Sequence, residues 1–280
     1  MGMLLVRQQR FYRGASELLY AREGVRDAME VLASDLRGIA AADTVRLMTD
    51  SAIEAFAPIG ASVLCQVVDG FEVGLPPSFP SGNTLTAFLV QPDTGDLALF
   101  YREADDDGSH WERHRIRAFA ARSLASTCPP SSSLVSDEEP AGGRQGYHVG
   151  LESPLGSDVR PGAPVRFIRR GRYSLYRASD GDWYLGYHRC NAIGGSVCGA
   201  VQPLSGPYRG YNGDRRATGL LFEYFDAGGA RLDASSSALD LARVDITARA
   251  ESRQHLAIGS RSYTPADSAT MSIAVRNRAH

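Results

Sequence analysis

MLLVRQQRFYRGASELLYAREGVRDAMEVLASDLRGIAA fills residues 3–41, and its reading decides what the rest of the chain is built around. Leu4, Phe11, Leu18, Val25, Leu32 and Ile39 recur every seven residues. Ala15, Met29 and Leu36 run beside them, and Tyr12 and Leu19 widen the stripe. Apolar residues at this spacing share one face of an α-helix. Arg10, Arg13, Glu17, Glu23, Arg26, Asp27, Glu30 and Arg37 hold the other face. No Pro interrupts the run, and Gly14 and Gly24 each lower helix propensity by only about 1 kcal/mol relative to Ala. At the α-helical rise the segment reaches roughly 55–60 Å, well beyond an ordinary globular helix. It is expected to end near Gly38–Asp43, where small residues replace the pattern. Heptads this long also permit a coiled coil, but the flanking positions lack the alternating charges that choose a partner.

The remaining composition narrows the function classes. The chain has 280 residues, 43% of them hydrophobic, and a formal net charge of −2. That is enough apolar material for a substantial core. All thirty basic residues are Arg, with no Lys. No basic patch stands above this near-neutral background, so nucleic acid is not expected as a partner. No apolar run approaches the 20 or so residues that a spanning helix needs, and no signal peptide is recognisable.

Cys65, Cys128, Cys190 and Cys198 allow three pairings. The short, Gly-rich loop Asn191-Ala192-Ile193-Gly194-Gly195 lets Cys190 and Cys198 meet, which leaves Cys65 for Cys128. Four reduced thiols in a cytosolic protein are the alternative.

Beyond the helix the pattern is of strands and turns. Thr44–Met48, Ala52–Phe56 and Ala61–Val68 read as strands, Phe71–Asn83 as a loop, and Thr84–Val90 with Leu97–Arg102 as a hairpin. Pro129–Gly146 is too polar to fold by itself and reads as a flexible insertion. Asp180-Gly181 between two aromatic runs is the clearest hairpin signal. Val244, Ile246, Ala248 and Ala250 alternate with polar residues, and Met271, Ile273 and Val275 repeat the pattern. The expectation is an α+β chain: a helical segment over residues 1–41, then an antiparallel, β-rich head over 42–280 with its insertion at 129–146.

Few constellations suggest chemistry. His110 and His114 flank Glu112, but the order is not that of a zincin and a strand holds the rings too far apart for one ion. His188, Cys190 and Cys198 lack the C-x-x-C spacing of a zinc site. Asp105-Asp106-Asp107-Gly108 could face a calcium ion, though without the ligand spacing of an EF-hand loop. There is neither a G-x-S-x-G elbow nor a phosphate loop. No enzymatic activity, cofactor or resident metal is expected.

Several segments carry a resemblance. Leu5-Val6-Arg7-Gln8-Gln9-Arg10 and Ala28-Met29-Glu30-Val31-Leu32-Ala33-Ser34-Asp35-Leu36-Arg37 resemble the periplasmic half of the helix in type IV minor pilins and minor pseudopilins of the PilW and GspJ type. Arg172–Arg177 with Asp182–Gly186, the Val244–Ala250 alternation and Val275-Arg276-Asn277-Arg278 are similar to their later strands. The resemblance covers about half of the chain. It implies a pilin-like fold, with the long helix packed on an antiparallel sheet. It also implies a non-catalytic subunit of a type IV pilus or type II secretion fibre, with other pilin or pseudopilin subunits as partners. The location would be periplasmic, with anchoring in the inner membrane through an apolar segment upstream of Met1. The stripe Leu4, Phe11, Leu18, Val25, Leu32, Ile39 becomes the assembly helix. A rival reading is a fibre-tip module that holds a carbohydrate or surface ligand on Trp183, Tyr184, Tyr187, Tyr208 and Tyr211.

Overall fold

A computed structural model describes residues 2–39, 45–78, 85–103, 108–136, 143–191, 197–252, 256–258 and 261–275. The N-terminal stretch forms one α-helix, Gly2–Arg37. The pilin-like α+β expectation nevertheless fails. The protein is β-rich, with 48% of it in strands, fifteen of them joined antiparallel, and 17% in helix. The chain divides into two compact units, and the helix contributes to the core of only one of them.

The first unit comprises Met1–Ala57, Gly171–Arg189 and Cys198–His280. Its central strand is Arg243–Glu251, which pairs with Leu220–Phe225 on one side and Ala266–Ala274 on the other. Facing residues are those the alternation demands: Val244 opposite Tyr224 and Ile273, Ile246 opposite Phe222 and Met271. Trp183–Arg189 continues the ladder between Gly171–Arg177 and Gln202–Tyr208. Its hairpin turns at Asp180-Gly181, where Gly181 takes a φ of 90° that a side chain would resist. The helix lies against Gln202–Tyr208, Arg243–Glu251 and Ala266–Ala274. Val25, Ala28, Leu32, Leu36 and Ile39 enter a core with Phe222, Ile246 and Ile273.

The second unit comprises Pro58–Arg170 and Cys190–Val197. Its strands run in the order Glu72–Leu75, Gln145–Leu151, His110–Ser123, Leu97–Arg102, then the start of Pro164–Arg177. Their inner face supplies Ile116, Val149, Leu151, Phe100 and Phe167, with no helical residue among them. Phe88 meets Phe119, Tyr147 and Phe167 edge to face, at centroid distances of 5.6, 5.1 and 5.7 Å. This core is built from strand pairing and the packing of aromatic and aliphatic side chains.

Three local expectations change. Glu72–Leu75 is a strand inside the expected loop, because Val73 and Leu75 are fully buried. Leu97–Arg102 pairs with His110–Ser123 rather than with residues 84–90, whose Ala87–Phe88 instead joins Gly60 and Ala61. Of the expected insertion, Pro130–Ser132 forms a helical turn, and Val135 is buried in a small cluster with Cys65, Cys128 and Leu124. Residues 137–142 lie outside the described set.

Candidate functional site

The helical seam changes character along its length. From Ala21 onward the buried positions are Ala21, Gly24, Val25, Ala28, Leu32, Ala33, Leu36 and Ile39, which is the helical period. Before Ala21 the stripe faces water. Leu18 is 39% exposed, Leu19 56% and Tyr12 65%; Tyr20, off the stripe, is 67% exposed. Leu4 and Phe11 have backbone in the helix, but their side chains lie outside the described residues. Thus Val25, Leu32 and Ile39 belong to the protein's own core, whereas Leu18 begins an uncovered apolar surface.

Polar bonds fix the inner half of the helix to the sheet. The Tyr208 hydroxyl donates to the Gly24 carbonyl, and Ser252 donates to Glu17 at 2.5 Å. Tyr173 donates to Asp35, and burial followed by that carboxylate pushes its pKa well up. Arg22 pairs with Asp267 at 3.2 Å. All these anchors lie at or after Glu17, so the last five turns or so of the helix are held from several sides.

All four cysteines are in disulfides. Cys65 bonds Cys128, and no free thiol remains for Cys190 or Cys198. The two disulfides indicate an oxidising compartment outside the cytoplasm. They also remove the zinc alternative. Cys190 and Cys198 cannot supply thiolates, and the neighbouring Glu54 carboxylate is held by Arg172 at 2.6 Å. Among the described residues, no helix is long and apolar enough to cross a membrane.

His110 and His114 do not share an ion. His110 is exposed, while His114 is buried, with Nε2 2.8 Å from Glu112 Oε1 and Nδ1 2.9 Å from Ser153 Oγ. A neutral ring that donates from Nε2 to the carboxylate accepts the serine hydroxyl at Nδ1. Glu112 Oε1 also accepts from the Gly156 amide at 2.9 Å. The chain of bonds ties the turn at 153–156 to the His110–Ser123 strand. No sequence spacing announces it, because Ser153 is 39 residues from His114.

The aromatic residues of the rival reading form no common row. Tyr208 is buried, and burial raises its pKa to about 12. Trp183 and Tyr187 pack against the core of the first unit. Tyr184 donates to Asp180 at 2.7 Å, and only Tyr211 is strongly exposed, donating to Asp50 at 3.1 Å. Beside Asp50 lies a cleft of 470 Å³ lined in part by Arg215, Arg231, Phe222, Tyr224 and Asp233. Its lining charges are balanced, Asp50 and Asp233 against Arg215 and Arg231, and Glu223 lies 3.7 Å from Arg215 and 3.6 Å from Arg231. The Ser235 hydroxyl and amide hold the Asp233 carboxyl below its ordinary pKa. The acidic turn proposed for calcium, residues 105–107, lies outside the described residues.

No protein-family model matches the chain, and no curated protein or solved structure does so either.

Proposed function

We propose that the chain is a non-catalytic structural subunit of an extracytoplasmic fibre, of minor pilin or minor pseudopilin type, that assembles through its N-terminal helix. The reading rests on the helix and not on the body, which is β-rich. One observation carries it: the same apolar seam is dry from Ala21 to Ile39 and wet at Tyr12, Leu18 and Leu19. A helix that needed only to complete its own core would turn polar where the sheet ends. This one keeps Leu18 in register with Val25 and Leu32, with Tyr12 and Leu19 beside it, and exposed apolar surface of that kind suits helix-on-helix packing. The occupant is the corresponding helix of a sister subunit, because the seam's heptad spacing matches a second seam of its own kind. The chain's disulfides, which fit an oxidising compartment outside the cytoplasm, support this reading, and the periplasm with inner-membrane anchoring is the setting proposed for it.

Site-specific photo-crosslinking from Leu19 in the native host, with the adducts identified by mass spectrometry, tests the proposal. Adducts with the N-terminal helices of fibre subunits are expected, and Leu19→Ser with Tyr20→Ser should remove the protein from fibres without changing its melting temperature. A normally folded protein that crosslinks to no fibre component would overturn the reading.

A further inference from the structure

A cleft of 250 Å³ lies in the unit that contains the helix, lined by Arg209, Arg216, Arg249, Ala266, Asp267 and Ser268. Its charges do not cancel. Arg209 Nε is 2.9 Å from Glu251 Oε2, and Asp267 is taken by Arg22 on the helix at 3.2 Å, so these two pairs are neutral. Arg249 donates from Nη1 to the Thr218 carbonyl at 2.9 Å, which aims the guanidinium without neutralising it. Arg216 is exposed, and its side chain has no hydrogen-bond or ion partner among the described residues. Two guanidinium charges are therefore left over at one concave site, in a chain whose net charge is −2. Close by, the Thr218 hydroxyl is buried without a partner.

We propose that this cleft binds a phosphate group, either inorganic phosphate or the phosphate of a phosphomonoester. The two uncompensated charges match a phosphate, which carries about −1.5 to −2 at neutral pH, better than a singly charged carboxylate. The lining side chains come from four places: the residue after the Gln202–Tyr208 strand, the 212–218 turn, the Arg243–Glu251 strand and the Ala266–Ala274 strand. Donors arriving from several elements suit a tetrahedral oxyanion, and each guanidinium offers a planar fork of N–H groups to it. Asp267 opposes the ligand less while Arg22 of the helix holds it. Arg216 is the adjustable member, since it stands on a turn organised by the Asp214 carboxylate, which accepts the Arg216 amide at 2.9 Å.

The test is calorimetric titration of the full chain with inorganic phosphate at constant ionic strength, with acetate as the control anion and methyl phosphate as the monoester. Saturable phosphate binding is expected, with acetate weaker by about tenfold, the effect of one lost charge-assisted bond. Arg216→Gln should weaken phosphate by about tenfold or more while leaving the fold intact, because its side chain has no structural bond to lose. Methyl phosphate that binds as well as phosphate assigns the cleft to monoesters; its failure to bind assigns it to free phosphate. Non-saturable heats, equal affinity for acetate, or unchanged binding in Arg216→Gln would overturn the proposal.

Discussion

The Tyr208 hydroxyl lies 2.6 Å from the Gly24 carbonyl oxygen, so a residue ending one strand is bonded to the middle of the N-terminal helix. The same hydroxyl is 2.6 Å from Ser205 Oγ. The helical carbonyl thus gains a second partner beside its ordinary one along the helix axis. Tyr208→Phe should lower stability by about 1–2 kcal/mol, the worth of a buried hydrogen bond.

The same tyrosine sets an alkaline limit. Burial raises its pKa from 10.0 to about 12 in the folded state. A folded-state pKa above the unfolded one gives stability that is complete below pH 10 and falls as pH rises toward 12, because the unfolded chain ionises first. Wild-type protein should lose stability through this window faster than Tyr208→Phe does. The buried Tyr173 and Tyr224, also raised by burial, keep part of the slope in the variant. Denaturant midpoints across alkaline pH measure the difference, and identical slopes would refute it.

Leu32 and Leu18 lie two heptads apart on one seam and should behave differently. Leu32 is fully buried, so Leu32→Ala should cost about 2–5 kcal/mol. Leu18 is 39% exposed, and Leu18→Ala should stay within about 1 kcal/mol. Urea melts at two protein concentrations check both values. Equal losses with a concentration-dependent midpoint would point to a free coiled coil.

Glu54 is completely buried, and Arg172 reaches its Oε2 with Nε at 2.8 Å and Nη2 at 2.6 Å. Arg172→Ala strands that carboxylate and should destabilise the protein by about 3–5 kcal/mol. Adding Glu54→Gln should restore much of the loss, since a neutral amide does not need the counter-charge. Additive losses in the double variant would show that the ion pair is not the cause.

The Cys65–Cys128 bond closes a loop with a sequence separation of 63. Replacing both cysteines with serine should lower stability by about 4 kcal/mol if loop closure in the unfolded chain dominates. Thermal melts of the double variant, compared with oxidised wild type, test the value.

The proposed non-catalytic role predicts that the protein ignores a serine-directed probe. Ser153, His114 and Glu112 are connected as a nucleophile, a base and an acid would be, with the two imidazole nitrogens exchanged. A fluorophosphonate should leave Ser153 unlabelled, whereas a covalent adduct at Ser153 would replace the structural reading with a hydrolase.

The helix was legible because 3.6-residue periodicity is a local signal, and Leu32, Leu36 and Ile39 are buried as that signal requires. The Asp180-Gly181 hairpin and the Val244–Ala250 alternation were legible for the same reason. The order in which the strands pair was not. Strands such as Ala52–Val63 and His110–Ser123 change partner along their length, and the pattern splits at each change. The 69-residue gap between Glu72–Leu75 and Gln145–Leu151 leaves no local trace. Side-chain groups share that limit. Asp96 and Arg169 form a bidentate pair at 2.9 and 2.7 Å across 73 residues, and Arg216 and Arg249 converge on one cleft from separate elements.

The step at Ala21 divides the helix by what each substitution is answerable to. Before it, a change at Leu18, Leu19 or Tyr20 touches no core side chain, so this stretch is free to vary with whatever it meets while the body stays folded. After it, the apolar seam positions belong to the core that also holds Phe222, Ile246 and Ile273. A complete substitution scan scored for folding should therefore fall into two regimes along one unbroken helix, tolerant for the turns before Ala21 and intolerant at every third or fourth residue beyond it.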